Sequence, residues 1–359
     1  MYEARLDSGG RIYVKTSADP EVATSPSPGV QVLVRTEYSL ISPGTETGII
    51  RRVREEGLGE AGYLALGYCA AGVIVGKDEA VKNVAVGDRV ACYGAPYVRH
   101  SGILAVPRTL VVQLPDEVST REGAFCGLGA IAIHGLRLTR LQFGESLAIV
   151  GLGLIGQLAV QVAVAAGYRV FGMDLLPARL KLARRAGAEL AVNSSELAVN
   201  GNAGDPVMAI KSLTEGLGVD AVLVCAASRS PELIQQALRL VRPQGRIVVV
   251  GDVNLTIHRD LMFNSEAEVV VARAAGAGRY DESYERLGYD YPLAYVRWTV
   301  NRNIQEFVRL ISRRRVNVVP LISAEYQVTD APMVYEAMMT GPSAALGVLL
   351  RYESIGAQA

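Results

Sequence analysis

Gly151-Leu152-Gly153-Leu154-Ile155-Gly156 is the stretch of the chain most suited to chemistry. Its G-x-G-x-x-G spacing follows an apolar run, Leu147-Ala148-Ile149-Val150, and opens a helix-length segment. In that setting the first glycine permits a tight turn, the second lets backbone approach a pyrophosphate, and the third lets the helix pack against the strand. The helix start at Leu154 and Ile155 offers free N–H groups to phosphates. Asp174 ends the next apolar run, close to the ~20 residues downstream expected of the acid that takes a ribose 2′-hydroxyl. A carboxylate there repels a 2′-phosphate, so NAD is expected over NADP. Arg179, five residues on, is open to two readings, a phosphate partner or a surface charge on the next helix.

Other ligand-bearing side chains are scattered. Cys69, Cys92, Cys126 and Cys225 form no C-x-x-C pair, and His100, His134 and His258 are isolated from them. The pattern predicts buried reduced thiols and no local metal cluster.

The elements that must position the glycine motif are legible around it. Strands are expected at Ser146–Val150, Arg169–Met173, residues 221–226 and residues 246–250, with helices at residues 154–166, Pro177–Arg185 and residues 231–241. Strands alternating with crossover helices predict a doubly wound parallel sheet. Before it, short β-rich pieces at residues 31–35, 72–75, 88–92 and 109–114 predict an antiparallel domain, and a single helix is expected over residues 120–138. A helix over 303–314 and a strand over 345–351 are expected to return to that first domain.

Bulk properties agree. A length of 359 residues exceeds what one hydrophobic core usually serves, which predicts two domains. Lys and Arg total 36, balanced by 36 Asp and Glu, so the electrostatic footprint of a nucleic-acid or anionic-membrane partner is missing. The opening Met1–Asp7 is charged and no secretory leader is read there; the apolar region 146–166 is broken by glycines and Gln157, so no membrane span is read either. A cytoplasmic protein is expected.

With these residues in place, the chain resembles the medium-chain dehydrogenase/reductase superfamily over nearly its whole length. Gly87-Asp88-Arg89-Val90 resembles the family's G-D-R-V turn, Leu114-Pro115-Asp116 its entry to the coenzyme domain, and Arg242-Pro243-Gln244-Gly245-Arg246 the turn before a late coenzyme-domain strand. The resemblance implies a GroES-like catalytic domain (residues 1–128 and 277–359) interrupted by a Rossmann domain (129–276), and a homodimer or tetramer joined through coenzyme-domain sheet edges, here expected at residues 246–250.

Zinc-dependent members read G-I-C-G-T-D and G-H-E. This chain has Ile41-Ser42-Pro43-Gly44-Thr45-Glu46 and Gly67-Tyr68-Cys69, and the four-cysteine lobe of the structural zinc has no counterpart. The resemblance therefore implies an enzyme that works without metal. Thr45 aligns with a hydroxyl that contacts the substrate oxygen in relatives, Tyr68 replaces a metal ligand, and Glu46 is the nearest carboxylate; these three are the candidate catalytic residues, each with a competing role in packing. His100 is expected to be structural.

A narrower resemblance, carried by residues 38–46, 66–68, 278–281 and 291–299, is to the dehydrogenase half of bi-domain oxidoreductases associated with sugar and cyclitol chemistry. It implies a secondary alcohol or ketone of a sugar, cyclitol or related polyol as substrate, with Tyr291, Arg297 and Trp298 as substrate-binding candidates in a segment that can equally be a covered turn or a dimer surface. The chain ends where the second half begins in those proteins, so an oxidoreductase partner is expected as a separate polypeptide or not at all. Two alternatives stand beside this reading: a zinc-free quinone or enoyl reductase, against which Asp174 counts, and a non-catalytic nucleotide-binding subunit.

Overall fold

The computed structural model describes residues 1–20, 30–59, 62–194, 205–340 and 345–353. Chain compactness divides it into one unit of Met1–Ala130, Ala277–Arg313 and Val318–Ala359, and another of Ile131–Gly276 with Arg314–Asn317.

In the second unit, among the described residues, six parallel strands lie in the order Leu190–Asn193, Arg169–Asp174, Ser146–Val150, Val219–Val224, Val241–Val249 and Glu268–Val271. The order reverses between Ser146–Val150 and Val219–Val224, which makes the carboxyl ends of these two strands the place where a doubly wound sheet opens a crevice for ligands. Every residue of Ser146–Val150 is buried, as a strand covered on both faces requires. Ala148, Val150, Phe171, Met173, Val222, Val224, Ile247 and Val249 form one face of the core with Ile234 and Leu238 of helix Glu232–Leu240. The expected dimer edge is corrected here: Val241–Val249 is an inner strand, because Glu268–Val271 pairs beyond it in register Arg246↔Glu268 to Val249↔Val271.

In the first unit a mixed sheet runs Ile322–Gln327, Gly347–Arg351, Gln31–Ile41, Cys69–Lys77, Arg89–Tyr93 and Val111–Gln113, with Ile103–Pro107 also pairing on Gln31–Ile41. All pairings are antiparallel except Ile322–Gln327 with Gly347–Arg351. The first unit is GroES-like and the second is a Rossmann domain. The expected helix over 120–138 is two, Thr120–Gly123 and Cys126–Leu138, the first opened by a capping box between Ser119 and Glu122.

Long strand Gln31–Ile41 runs directly into helix Pro43–Glu56, with Ser42 as its N-cap and Pro43 in its first turn. Ile50 and Val53 of that helix pack with Ile41, Leu66, Tyr335, Val348 and Leu350. The strand-to-helix corner at Ser42 is thereby fixed from both sides, and residues 42–46 lie in the first turn that follows it. Among the described residues no helix is long and apolar enough to cross a membrane.

Candidate functional site

Two candidate clusters are present, one within each unit. In the second unit each glycine of Gly151–Gly156 meets a different constraint. Gly151 has φ +92°, and a Cβ there would lie 2.5 Å from the Ala226 nitrogen. A Cβ on Gly156 would lie 2.0 Å from the Gly151 carbonyl oxygen, which only a residue without a side chain can satisfy. At Gly153 the nearest neighbour of a Cβ is the Arg179 guanidinium at 4.0 Å, so this face of the loop is open. Gly153 caps helix Leu154–Ala165 with no side-chain bond, leaving first-turn N–H groups for an anion. A tight turn, an open cradle and a close helix contact together fit a dinucleotide pyrophosphate.

Asp174 is 7% exposed. Its Oδ2 accepts the Leu152 N–H at 2.7 Å and its Oδ1 the Leu176 N–H at 2.9 Å. A carboxylate has about four acceptor positions, so lone pairs are left for a ribose hydroxyl. Arg179 resolves into neither of its two readings alone: its side chain is mostly buried and its Nη1 stands 3.5 Å from Asp174 Oδ2, while the same nitrogen borders the open face of Gly153. The sequence did not point to Gln157. Its buried amide donates to the Leu152 carbonyl at 3.1 Å and the Arg179 carbonyl at 2.9 Å, tying the glycine loop to helix Pro177–Arg185. A polar residue in the first turn of a helix whose only other polar residue is Gln161 was the available signal.

In the first unit Tyr68 and Thr45 come together. Tyr68 Oη donates to Ser42 Oγ at 2.6 Å and lies 3.4 Å from Thr45 Oγ1. Thr45 is exposed on the first turn of helix Pro43–Glu56. The Tyr68 ring packs edge-on against Tyr93, with centroids 6.0 Å apart and planes at 77°. Gly67 has φ +93°, and a Cβ there would lie 2.7 Å from the His100 ring, so the strand reaches Tyr68 only through a glycine. Burial pushes the Tyr68 phenol well above its ordinary value, and the negative charge of Glu46 acts the same way, against the Ser42 and Thr45 hydrogen bonds. The phenol therefore stays protonated at neutral pH, as a hydrogen-bond donor. Ser42 is the partner that sequence reasoning did not select.

Glu46 requires a correction. The carboxylate expected near the substrate points into the core at 1% exposure. Oε1 accepts the Ser42 N–H at 2.7 Å, and Oε2 is bonded to His100 Nε2 at 3.0 Å and to the Tyr335 hydroxyl. His100 is structural, its other nitrogen being bonded to Ser39 Oγ at 2.7 Å.

The segment 279–302 is held by its own polar contacts. The buried Arg279 pairs with Glu285, donates to the Ala95 carbonyl at 2.8 Å, and lies 5.6 Å from the Tyr93 ring centroid. Tyr291 is also corrected: its hydroxyl is spent on Asp281, a bond that pushes its phenol up to about 12, and its ring stacks on Tyr284 at 5.7 Å. Arg302 donates to the Tyr291 carbonyl at 3.0 Å. Arg297 is exposed and lies over the Trp298 ring at 4.0 Å. Of the three substrate-binding candidates, Tyr291 is thus a fastening of the segment, while Arg297 and Trp298 form one cation–π pair.

A zinc ion does not fit these donors. Ser42 and Tyr68 are neutral hydroxyls bonded to each other, both nitrogens of His100 are engaged, and burial pushes the Cys69 and Cys126 thiols up, away from the thiolate that zinc binds. Among the described residues no group of three or more His, Cys, Asp or Glu can hold a metal.

Comparison with known proteins places this architecture. A glycine cradle on a reversed parallel sheet and a GroES-like unit within one chain are features that solved dehydrogenase structures share. The family model described as zinc-binding dehydrogenase matches residues 155–287. Sorbitol dehydrogenase of Bacillus subtilis (strain 168) is 31% identical over 214 residues, covering 52% of this chain and 58% of that protein. D-guloside 3-dehydrogenase of Escherichia coli (strain K12) is 28% identical over 282 residues, 77% of this chain and 74% of that protein. Among solved structures, galactitol-1-phosphate dehydrogenase from Escherichia coli superposes with a TM-score of 0.77 at 21% identity, covering 98% of this chain and 100% of that one. Residues 155–287 thus match the zinc-binding dehydrogenase family, and the chain is similar over about three quarters of its length to a sugar dehydrogenase.

Proposed function

We propose that this chain is a zinc-independent, NAD-dependent oxidoreductase that interconverts a secondary alcohol and a ketone on a sugar, cyclitol or related polyol. The observation that carries the reading is the Tyr68–Ser42–Thr45 hydroxyl cluster, and the sequence resemblance, which aligns Tyr68 with a metal ligand of zinc-dependent members, supports it. The polyol class is supported by the names of the relatives, and NAD by the Asp174 carboxylate beside the glycine cradle.

When bound, the nicotinamide supplies or accepts the hydride. Tyr68, kept protonated, donates a hydrogen bond to the substrate oxygen and stabilises the negative charge that develops there. Exposed Thr45 passes the proton between that oxygen and solvent. Gly151, Gly153, Gly156 and the helix start at Leu154 and Ile155 hold the pyrophosphate, and Asp174 takes the ribose. Turnover of NADH or NAD with a panel of polyols and their ketones, run beside a panel of enones and quinones, tests the reading. Activity confined to the second panel, or turnover on neither despite NADH binding, rejects it.

Asp174→Ser is expected to weaken NADH binding about tenfold or more, the size of a lost hydrogen bond to a charged group, and to improve NADPH relative to NADH. Fluorescence titration of both cofactors measures this. Tighter NADPH than NADH binding by the unaltered protein contradicts the assignment of Asp174 to the ribose.

Dialysis against a strong chelator should leave turnover intact, and elemental analysis should find no stoichiometric zinc. A content near one zinc per chain, removed together with activity, ends the metal-free reading.

A further inference from the structure

An N-cap serine ordinarily spends its hydroxyl on the N–H groups of the first helical turn. Ser42 does not: it caps helix Pro43–Glu56 without any side-chain cap bond, although its side chain is buried. Its Oγ is turned to the Tyr68 phenol instead. Glu46 ties down the corner that makes this possible. Its carboxylate accepts the Ser42 N–H at 2.7 Å while its own N–H donates to the Ser42 carbonyl at 2.9 Å, a reciprocal pair that fixes the Ser42 backbone.

The carboxylate is itself fastened from several elements. His100 precedes strand Ile103–Pro107, and Tyr335 lies on helix Ala331–Met339. Behind His100, Ser39 of strand Gln31–Ile41 bonds both the imidazole and the Tyr352 hydroxyl, at 2.7 and 2.8 Å. A buried carboxylate is tolerated only when its lone pairs are satisfied. Here three donors whose positions are set by packing engage both of its oxygens, which holds the carboxylate in place.

We infer that Glu46 is a positioning residue for the Tyr68 hydroxyl: through the Ser42 backbone it aims Ser42 Oγ at the phenol, with His100 and Tyr335 holding Glu46 in turn. The inference rests on the reading above only for what Tyr68 does, not for how it is held. A serine hydroxyl both donates and accepts. Ser42 therefore accepts from Tyr68 when the phenol has no other acceptor, and turns to donate to the phenol oxygen when Tyr68 donates to a substrate. The tyrosine keeps a hydrogen-bonded partner in both states, and its direction is set by Ser42. The charge of Glu46 works the same way, opposing ionisation of the phenol.

The test is the ¹⁹F resonance of 3-fluorotyrosine placed at position 68, with the same label at Tyr168 of the other unit as control. Glu46→Gln and Ser42→Ala should each shift or divide the resonance at 68, leave that at 168 unchanged, and together do no more than the larger single change. If Glu46→Gln does not fold, Tyr335→Phe, which removes one bond to the same oxygen and keeps the ring, takes its place with the same expectation. A resonance at 68 that does not move in the folded variant, or that moves only in step with the one at 168, overturns the inference. Should the resonance behave as expected while Tyr68→Phe turns over like the unaltered protein, the positioning stands and the catalytic reading of Tyr68 falls.

Discussion

Tyr68→Phe should lower turnover about 10²–10³-fold and leave NADH affinity nearly unchanged, because it removes the hydroxyl that the proposed mechanism uses to stabilise charge on the substrate oxygen. The magnitude is that of deleting an oxyanion-type donor. The substitution keeps the ring, and with it the edge contact to Tyr93, so a loss of turnover reports the hydroxyl and not the packing. Thr45→Val is expected to cost less, since solvent can replace an exposed relay. Steady-state kinetics on any polyol that the panel identifies, with NADH titrated separately, decides the matter. Full activity in both variants means that the two residues only fill space.

Gly156→Ala is the second large effect. The added Cβ would meet the Gly151 carbonyl oxygen at 2.0 Å, a backbone atom that cannot rotate aside, so helix Leu154–Ala165 must move away from the strand. A stability loss of about 3 kcal/mol is expected from such overpacking, and NADH affinity should fall more than about 100-fold as the phosphate cradle opens. Gly153→Ala provides the contrast. Its Cβ has open space around it, so the protein should melt as before while the cofactor is obstructed. Thermal denaturation and fluorescence titration on the two variants separate these outcomes, and NADH affinity within twofold of the unaltered protein in both removes the loop from the cofactor site.

What could be read from the chain, and what could not, follows from how far apart the determinants lie. Strand Ser146–Val150 and helix Pro177–Arg185 are legible because unbroken apolarity and a first-turn proline are local signals. Strands Leu190–Asn193 and Glu268–Val271 escape detection: each has four residues at a sheet edge, and an apolar run as short as Leu190-Ala191-Val192 or Val269-Val270-Val271 does not by itself tell a strand from a helical or loop segment. In the catalytic unit the residue types at 45, 46 and 68 are visible as substitutions within a known pattern. That Glu46 faces inward is not visible, because His100 and Tyr335, which hold it there, are 54 and 289 residues away. Tyr291 misleads for the opposite reason: an aromatic hydroxyl in a polar segment reads as a free donor, and only the fold shows Asp281 already using it.

The glycine loop of the second unit is anchored before any ligand arrives. Its turn is tied to the neighbouring strand through the Gly151 N–H and the Met173 carbonyl at 2.8 Å, to Asp174 through the Leu152 N–H, and to Gln157 through the Leu152 carbonyl. Association with a dinucleotide consequently spends little of its free energy on ordering backbone, a cost that mobile phosphate loops must meet at the moment of binding. On the proposed reading, the phosphate half of the cofactor would meet a turn whose backbone is already hydrogen-bonded in place.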